Sequence, residues 1–339
     1  MRWSRTITVA DMHCEGTPAR IVTGGVVPPP GDTVQQQMVH MRDHDDWLRR
    51  FLLNEPRGAG ISSANLIVPP KHPEAAAGYI IMESVEYPPM SGSNTISTSA
   101  ALIELGIVPM EGDETRFILE SPAGLIGIQA RRDEKGALEI EFTNQPAFVI
   151  ALDHPLEVEG LGTITVDVSY GGMFFAIADA HGLGFSVTPD EGRDIVAMGM
   201  RITMAAIDQI EATHPTEPEF KGVSLSQIAC PITDSPDGGK TSRNACVVQP
   251  GRIDRSPTGT GTCARLAVMR ARGQIAMGER FDNRSIIDTR FHGRVIEKTM
   301  VGERPAVIPT IAGRAWLSGL IQYGYDPSDP FPEGFRLDD

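Results

Sequence analysis

Ser91-Gly92-Ser93-Asn94-Thr95-Ile96 and Thr258-Gly259-Thr260-Gly261-Thr262-Cys263 decide how this chain is read. Laid over each other at an offset of 258 − 91 = 167 residues, they match as hydroxyl-Gly-hydroxyl-x-Thr, and the match runs on through Ala100/Ala267 to Gly106/Gly273. The chain therefore holds two copies of one unit. In each copy a small polar loop opens a run of helix formers, Ser97 to Leu105 and Ala264 to Arg272, which stops at a glycine placed where a helix C′ residue belongs. Each unit reads as a loop feeding a helix N-terminus, an end with unsatisfied N–H groups and about half a positive charge. Two such ends facing each other would cradle a small anion, and a carboxylate fits best.

Working outward, the duplication extends to the flanks. Apolar residues from Val34 to Leu53 suit an amphipathic helix, with Thr33 and Gln36 in a capping-box pattern. Thr188-Pro189-Asp190-Glu191 opens a second such helix, with Ile195, Met198, Ile202, Ala206, Ile207 and Ile210 on one face until His214-Pro215. Arg5 to Ala10 alternates like a strand, the polar stretch Asp11 to Pro18 reads as a loop, and strand character resumes at Arg20. Strand patterns recur at Ala64–Val68, Gly78–Met82, Thr115–Glu120, Gly124–Ala130, Leu138–Phe142, Thr163–Ser169, Val223–Cys230, Asn244–Val248, Ile286–Phe291, Gly293–Lys298 and Arg304–Leu317, several as antiparallel meanders. The expected fold class is α/β (α+β), with two pseudo-symmetric halves. Residues 1–155 carry Ser91 and residues 156–339 carry Thr258, the stretch from about 305 to 339 being free to pack back on the first half.

Composition narrows the function. Lys+Arg 30 against Asp+Glu 44 gives a net charge of −14, which repels nucleic acid and anionic membrane surfaces. No apolar run approaches the roughly 18 residues of a membrane-spanning helix. Cys14, Cys230, Cys246 and Cys263 lack a CxxC pair, and Met1-Arg2-Trp3-Ser4 leads straight into a strand pattern, so a cytoplasmic protein with free thiols is expected.

Glycine-rich loops before helices raise phosphate binding first. Neither copy has the lysine of a P-loop, and the flanking pattern is antiparallel rather than the βαβ unit of a dinucleotide fold. A pyridoxal enzyme needs a Schiff-base lysine, but Lys71, Lys135, Lys221, Lys240 and Lys298 lie in no persuasive loop. The histidines and cysteines lack metal-ligand spacing, and no metal is expected. The remaining reading places the hydroxyls of Ser91 and Thr258 on opposite sides of one bound molecule, the geometry of proton transfer at a stereocentre. The N–H groups of Gly92, Ser93, Gly259 and Thr260 would then stabilise charge developing on a carboxylate. A plainer alternative is that Ser91 and Thr258 are only helix N-caps. His13 could be a base or ligand, although a histidine in a turn is more often a structural hydrogen-bonder.

At this point the chain resembles the proline racemase superfamily of proline racemases, hydroxyproline 2-epimerases and trans-3-hydroxy-L-proline dehydratases. The resemblance rests on Asp11-Met12-His13 with Glu15-Gly16-Thr17-Pro18, the Ser91 loop, Tyr170-Gly171-Gly172 with Ala176-Ile177-Ala178-Asp179, Asp254-Arg255-Ser256-Pro257-Thr258-Gly259-Thr260-Gly261-Thr262, and Ile308 to Trp316. It implies cofactor-independent chemistry and a fold similar to that of diaminopimelate epimerase, each half a curved, mostly antiparallel sheet around a central helix, with the active site in the cleft between the halves. It also implies that Asp254 accepts the ring N–H of a substrate.

The departures matter as much. Racemases and typical epimerases of the superfamily carry cysteine at both positions where this chain has Ser91 and Thr258, and histidine where it has Ser93. An alcohol is a much weaker acid than a thiol, whose pKa is about 8.5, so two-base racemisation should suffer. The dehydratases are similar in carrying threonine at the second position. The expectation is therefore a trans-3-hydroxy-L-proline dehydratase, with catalytic Ser91 and Thr258, substrate contacts at Gly92, Ser93, Asp254, Gly259 and Thr260, no cofactor, a small-molecule substrate and a state in which a homodimer is allowed. The runner-up is a hydroxyproline 2-epimerase. A non-catalytic imino-acid binding protein is the alternative of another class.

Overall fold

The computed structural model describes residues 3–337, with Met1, Arg2, Asp338 and Asp339 outside it. It divides into two compact units, Met1–Phe142 with Arg314–Asp339, and Thr143–Gly313.

The first unit opens on β1 (Arg5–Cys14) and β2 (Thr17–Gly24), an antiparallel hairpin pairing His13 with Pro18 and Cys14 with Thr17. The loop expected over Asp11 to Pro18 is thus strand except for Glu15 and Gly16, whose φ of 47° and 95° make a tight two-residue turn. The polar residues misled because Asp11 and His13 lie on the strand face opposite the buried Ala10, Met12 and Cys14. The long helix expected over residues 34–53 is two, α1 (Val34–His44) and α2 (Trp47–Leu53), broken at Asp45 and Asp46. Thr33 Oγ1 caps α1 by accepting from Gln36 N at 3.0 Å. Then come β3 (Ser63–Val68), β4 (Ala77–Met82), α3 (Gly92–Glu104), β5 (Glu114–Ser121), β6 (Gly124–Arg132) and β7 (Leu138–Thr143). β2 runs parallel to β3, β3 antiparallel to β4, β4 parallel to β5, and β5 antiparallel to β6. α3 packs against β1, β2, β3 and β6, and it is buried from Gly92 to Ile103. Its serines, threonines and alanines are small enough to let these strands approach closely.

In the second unit β8 (Ala147–Val158) precedes β9 (Gly162–Tyr170) and β10 (Phe174–Asp179). A 3₁₀ turn at Pro189–Glu191, closed by the expected capping box at Thr188, leads into α4 (Gly192–Gln209). β11 (Leu225–Ala229), β12 (Thr233–Asp234), β13 (Lys240–Val248) and β14 (Arg252–Ile253) precede α5 (Gly259–Ala271), which β15 (Phe281–Arg284), β16 (Arg290–Val301) and β17 (Arg304–Tyr325) follow, the residues of β17 from Arg314 on belonging to the first unit. β9 is antiparallel to β10, β10 parallel to β11, β11 antiparallel to β13, β13 parallel to β15, and β15 antiparallel to β16. That is the order and sense of β1 to β6 repeated, with α5 in the place of α3. The duplicated loops are thus the starts of two equivalent central helices, in a mixed α/β fold dominated by sheet.

One further expectation shifts. The strand placed at Ile286–Phe291 lies at Phe281–Arg284, and residues 285–289 turn between β15 and β16. Asp282 and Asn283 disguised it, being residues that strands disfavour. The tail after residue 325 is held by backbone pairing of Phe335 with Glu55, and by Arg57 donating to the carbonyls of Phe331 and Pro332. No helix among the described residues is long and apolar enough to cross a membrane, and all four cysteines are free.

Candidate active site

The helices begin five residues earlier than their sequences advertise, at Gly92 and Gly259 rather than at Ser97 and Ala264. Glycine and serine are weak helix formers, but each first turn is fastened by the same pair of bonds. Thr95 Oγ1 donates to the Ser91 carbonyl at 2.8 Å, and Thr262 Oγ1 to the Thr258 carbonyl at 2.7 Å. Each threonine is held from the sheet in turn, Thr95 by the Tyr79 hydroxyl at 2.6 Å and Thr262 by Asn283 Nδ2 at 2.8 Å. These two anchors carried no motif that sequence reading could find.

Ser91, Gly92 and Ser93 share the start of α3, and Thr258, Gly259 and Thr260 share the start of α5 with Asp254 beside them. Ser91 and Thr258 both occupy the N-cap position, yet neither side chain bonds to the backbone of its helix. The capping role that was the plainer alternative is not the one they perform. Ser91 Oγ accepts from Asn94 Nδ2 at 2.9 Å. Thr258 Oγ1 donates to Asp254 Oδ2 at 2.7 Å. The two hydroxyls, equivalent by duplication, are thus held by groups of opposite kind.

Asp254 is itself fixed in a tight polar turn. Its Oδ1 accepts from Ser256 N at 2.9 Å and Ser256 Oγ at 3.0 Å, while Thr258 N donates to Ser256 Oγ at 3.1 Å. These bonds hold Thr258 at φ 65°, a left-handed conformation that a β-branched residue rarely adopts and that costs about 1–3 kcal/mol. Ser91, at φ −148°, is in ordinary extended backbone.

No nearby thiol in the second unit replaces the absent cysteine. Burial pushes the Cys246 thiol far above the usual range, pushes Cys263 up to about 12, and also raises Cys230. His13 stacks on Trp316, the ring centroids 5.0 Å apart, and its Nδ1 is buried without a hydrogen bond. Among the described residues no cluster of histidine, cysteine and carboxylate side chains is arranged to hold a metal ion.

The proline racemase family model matches residues 9–336. The chain belongs to the proline racemase family. It is similar to a hydroxyproline epimerase from Agrobacterium vitis solved with trans-4-hydroxy-L-proline bound, at 38% identity over 100% of this chain and 97% of that one, with a TM-score of 0.92. A probable proline racemase from Agrobacterium radiobacter K84, solved with carbonate, matches at 38% identity over 98% and 96%, with a TM-score of 0.90. A phenazine biosynthesis protein of the PhzF family from Bacillus anthracis shares only the fold, at 14% identity and a TM-score of 0.58 over 95% and 99%. Both relatives at 38% are named for isomerisation rather than for loss of water.

The family's Tyr-Gly-Gly stretch has a structural reason in the second unit. A Cβ added at Gly171 would lie 2.2 Å from the Thr260 carbonyl oxygen and 2.4 Å from Ala264 N, both backbone atoms of α5. Gly171→Ala should therefore push the first turn of α5 off the sheet. We expect a loss at or above the roughly 1–3 kcal/mol of an overpacked core, read as a lower urea midpoint, together with loss of activity. A wild-type midpoint would show that the close approach is not needed.

Proposed function

We infer that the protein is a cofactor-independent trans-3-hydroxy-L-proline dehydratase, in which Ser91 and Thr258 serve opposite faces of one Cα. The observation that supports it is the opposite polarity of the bonds on the two hydroxyls. A donor aimed at an oxygen favours its anionic form, and a carboxylate accepting from a hydroxyl keeps the proton on it. Ser91 is thereby suited to take a proton, while Thr258 stays an alcohol whose hydrogen is engaged by Asp254. Racemisation needs the second face to deliver a proton to Cα. Dehydration does not.

The stereochemistry of the substrate fits one-sided chemistry. In the trans-3-hydroxy isomer the hydroxyl and the carboxylate lie on opposite faces of the ring, so the Cα hydrogen lies on the hydroxyl's face. Ser91 would take that hydrogen and return it to the departing oxygen, so that the Cα–H and C3–O bonds break and water leaves. The resulting enamine tautomerises to Δ1-pyrroline-2-carboxylate. Charge that develops on the carboxylate would be met by the N-termini of α3 and α5, through the N–H groups of Gly92, Ser93, Gly259 and Thr260.

The second reading is a hydroxyproline 2-epimerase, favoured by the 38% identical relative that holds trans-4-hydroxy-L-proline. Separate incubations with trans-3- and trans-4-hydroxy-L-proline distinguish the two. Water loss from the first gives an imine that reacts with aldehyde reagents, whereas epimerisation of the second changes only optical rotation. Binding with neither imine formation nor a change in optical rotation would reject both in favour of a binding protein.

A further inference from the structure

An alcohol in place of a thiol leaves a chemical problem that the duplicated site does not solve by symmetry. The thiol it replaces ionises near 8.5, and an unassisted serine hydroxyl ionises far above that. Resting on the reading of Ser91 as the proton acceptor, we propose that Asn94 is a positioning residue whose amide N–H, locked in place by Ser63 and Asn65, stabilises the Ser91 alkoxide and makes the serine a working base.

The lock is visible in the first unit. Asn94 Oδ1 accepts from Ser63 Oγ and from Asn65 Nδ2, both at 2.7 Å. With two donors on its oxygen, the amide must turn its Nδ2 toward Ser91 Oγ, 2.9 Å away. Ser63, Asn65 and Asn94 are 4%, 0% and 2% exposed, so water competes little for these bonds. Ser63 and Asn65 are two residues apart on β3 and so present the same face of the strand.

The second unit lacks the device. By the 167-residue offset Asn94 corresponds to Gly261, which has no side chain and only tight space for one. A Cβ there would meet Cys246 Sγ at 3.0 Å, Gln227 Nε2 at 3.2 Å and Thr258 Cβ at 3.3 Å. Gln227 sits opposite Ile177 on β10 as Asn65 sits opposite Ile21 on β2, but its Nε2 donates to Asn244 Oδ1 at 3.0 Å. The duplicated frame has thus been dressed with a donor on one hydroxyl and a carboxylate on the other.

Asn94→Asp tests this, because the carboxylate can still accept from Ser63 and Asn65 but has no hydrogen to give Ser91. Turnover, read as imine formation from trans-3-hydroxy-L-proline or as inversion of trans-4-hydroxy-L-proline and followed against pH, should fall about 100-fold or more, with the pH–rate curve moved upward. In the Ser91→Cys background the same change should cost less than about tenfold, since a thiol needs no such help. An undiminished rate in Asn94→Asp would mean that position 94 accepts from Ser91 instead of donating, and would overturn the proposal. So would an equal fall in the cysteine background, the mark of a merely structural role. If Asn94→Asp melts below the assay temperature, Asn65→Asp replaces it, because an acceptor there would turn the Asn94 amide over and cause the same loss. If the wild type neither forms imine from trans-3-hydroxy-L-proline nor inverts trans-4-hydroxy-L-proline, proton transfer itself is rejected, and the rate of fluorophosphonate labelling at Ser91, read by mass spectrometry, still decides. Labelling slowed at least tenfold in Asn94→Asp supports the donor, and equal labelling removes it.

Discussion

Ser91→Ala should abolish dehydration of trans-3-hydroxy-L-proline, with a loss at or beyond the 10²–10⁴-fold typical of a positioned acid–base group. Thr258→Ala should cost less. The asymmetry follows from the partners on the two hydroxyls, an amide donor on Ser91 and a carboxylate acceptor on Thr258. Stability confuses this comparison little, because neither side chain caps its helix, and the roughly 1 kcal/mol usually lost with a capping hydroxyl is not at stake. Ser91→Ala leaves one Asn94 hydrogen unpaired, while Thr258→Ala leaves Asp254 with its bonds from Ser256. Thermal melts of both variants, beside initial rates of imine formation, settle whether the losses are chemical. Equal losses with intact melting would show both faces chemically engaged and move the assignment from dehydratase to epimerase.

The architecture was legible where the chain repeats itself and illegible where burial overrules composition. An offset of 167 residues, with two glycines at helix ends, was enough to expect two equivalent helices, and the resemblance to the proline racemase superfamily implied that each is the central one of its half. Gly106 and Gly273 indeed follow α3 and α5 with φ of 67° and 70°. The helix starts were hidden because Gly92, Ser93, Gly259 and Thr260 read locally as loop, and only the bonds of Thr95 and Thr262 to the carbonyls four residues earlier make them helical. Phe281–Arg284 was hidden because its polar residues are buried with partners, Asp282 beside His292 at 2.7 Å and Asn283 on Thr262.

The sequence pattern pointed to the two loops, which are the starts of α3 and α5, but of the two side chains that distinguish them it singled out Asp254 and not Asn94. Asn94 stood inside the quoted motif without drawing attention, since an asparagine in a helix's first turn is ordinary. Its meaning depends on Ser63 and Asn65, some 30 residues away in sequence, and such a contact has no periodicity to betray it. Asp254 was expected to accept from a substrate N–H. In the structure its Oδ2 accepts from Thr258, and a bound imino acid would have to share that carboxylate with the threonine.

That competition sets the expected result for Thr258→Cys. Position 258 is held at φ 65°, and cysteine, lacking the second branch of threonine, fits that conformation with less strain. The new thiol would stand beside Asp254, and a neighbouring carboxylate disfavours the thiolate, so the thiol stays protonated at neutral pH. A protonated thiol is a far stronger proton donor than the alcohol it replaces, and if, as proposed, position 258 serves the Cα face that Ser91 does not, that is what inversion lacks. Epimerisation of trans-4-hydroxy-L-proline should therefore rise at least tenfold, toward the range of a positioned general acid, while dehydration of the 3-hydroxy isomer does not rise. Polarimetry of the first substrate and imine formation from the second, measured on one preparation, separate the two effects. No gain in epimerisation, with the variant folded, would mean that proton delivery at position 258 is not what limits inversion, and that the alcohol is no barrier to an epimerase.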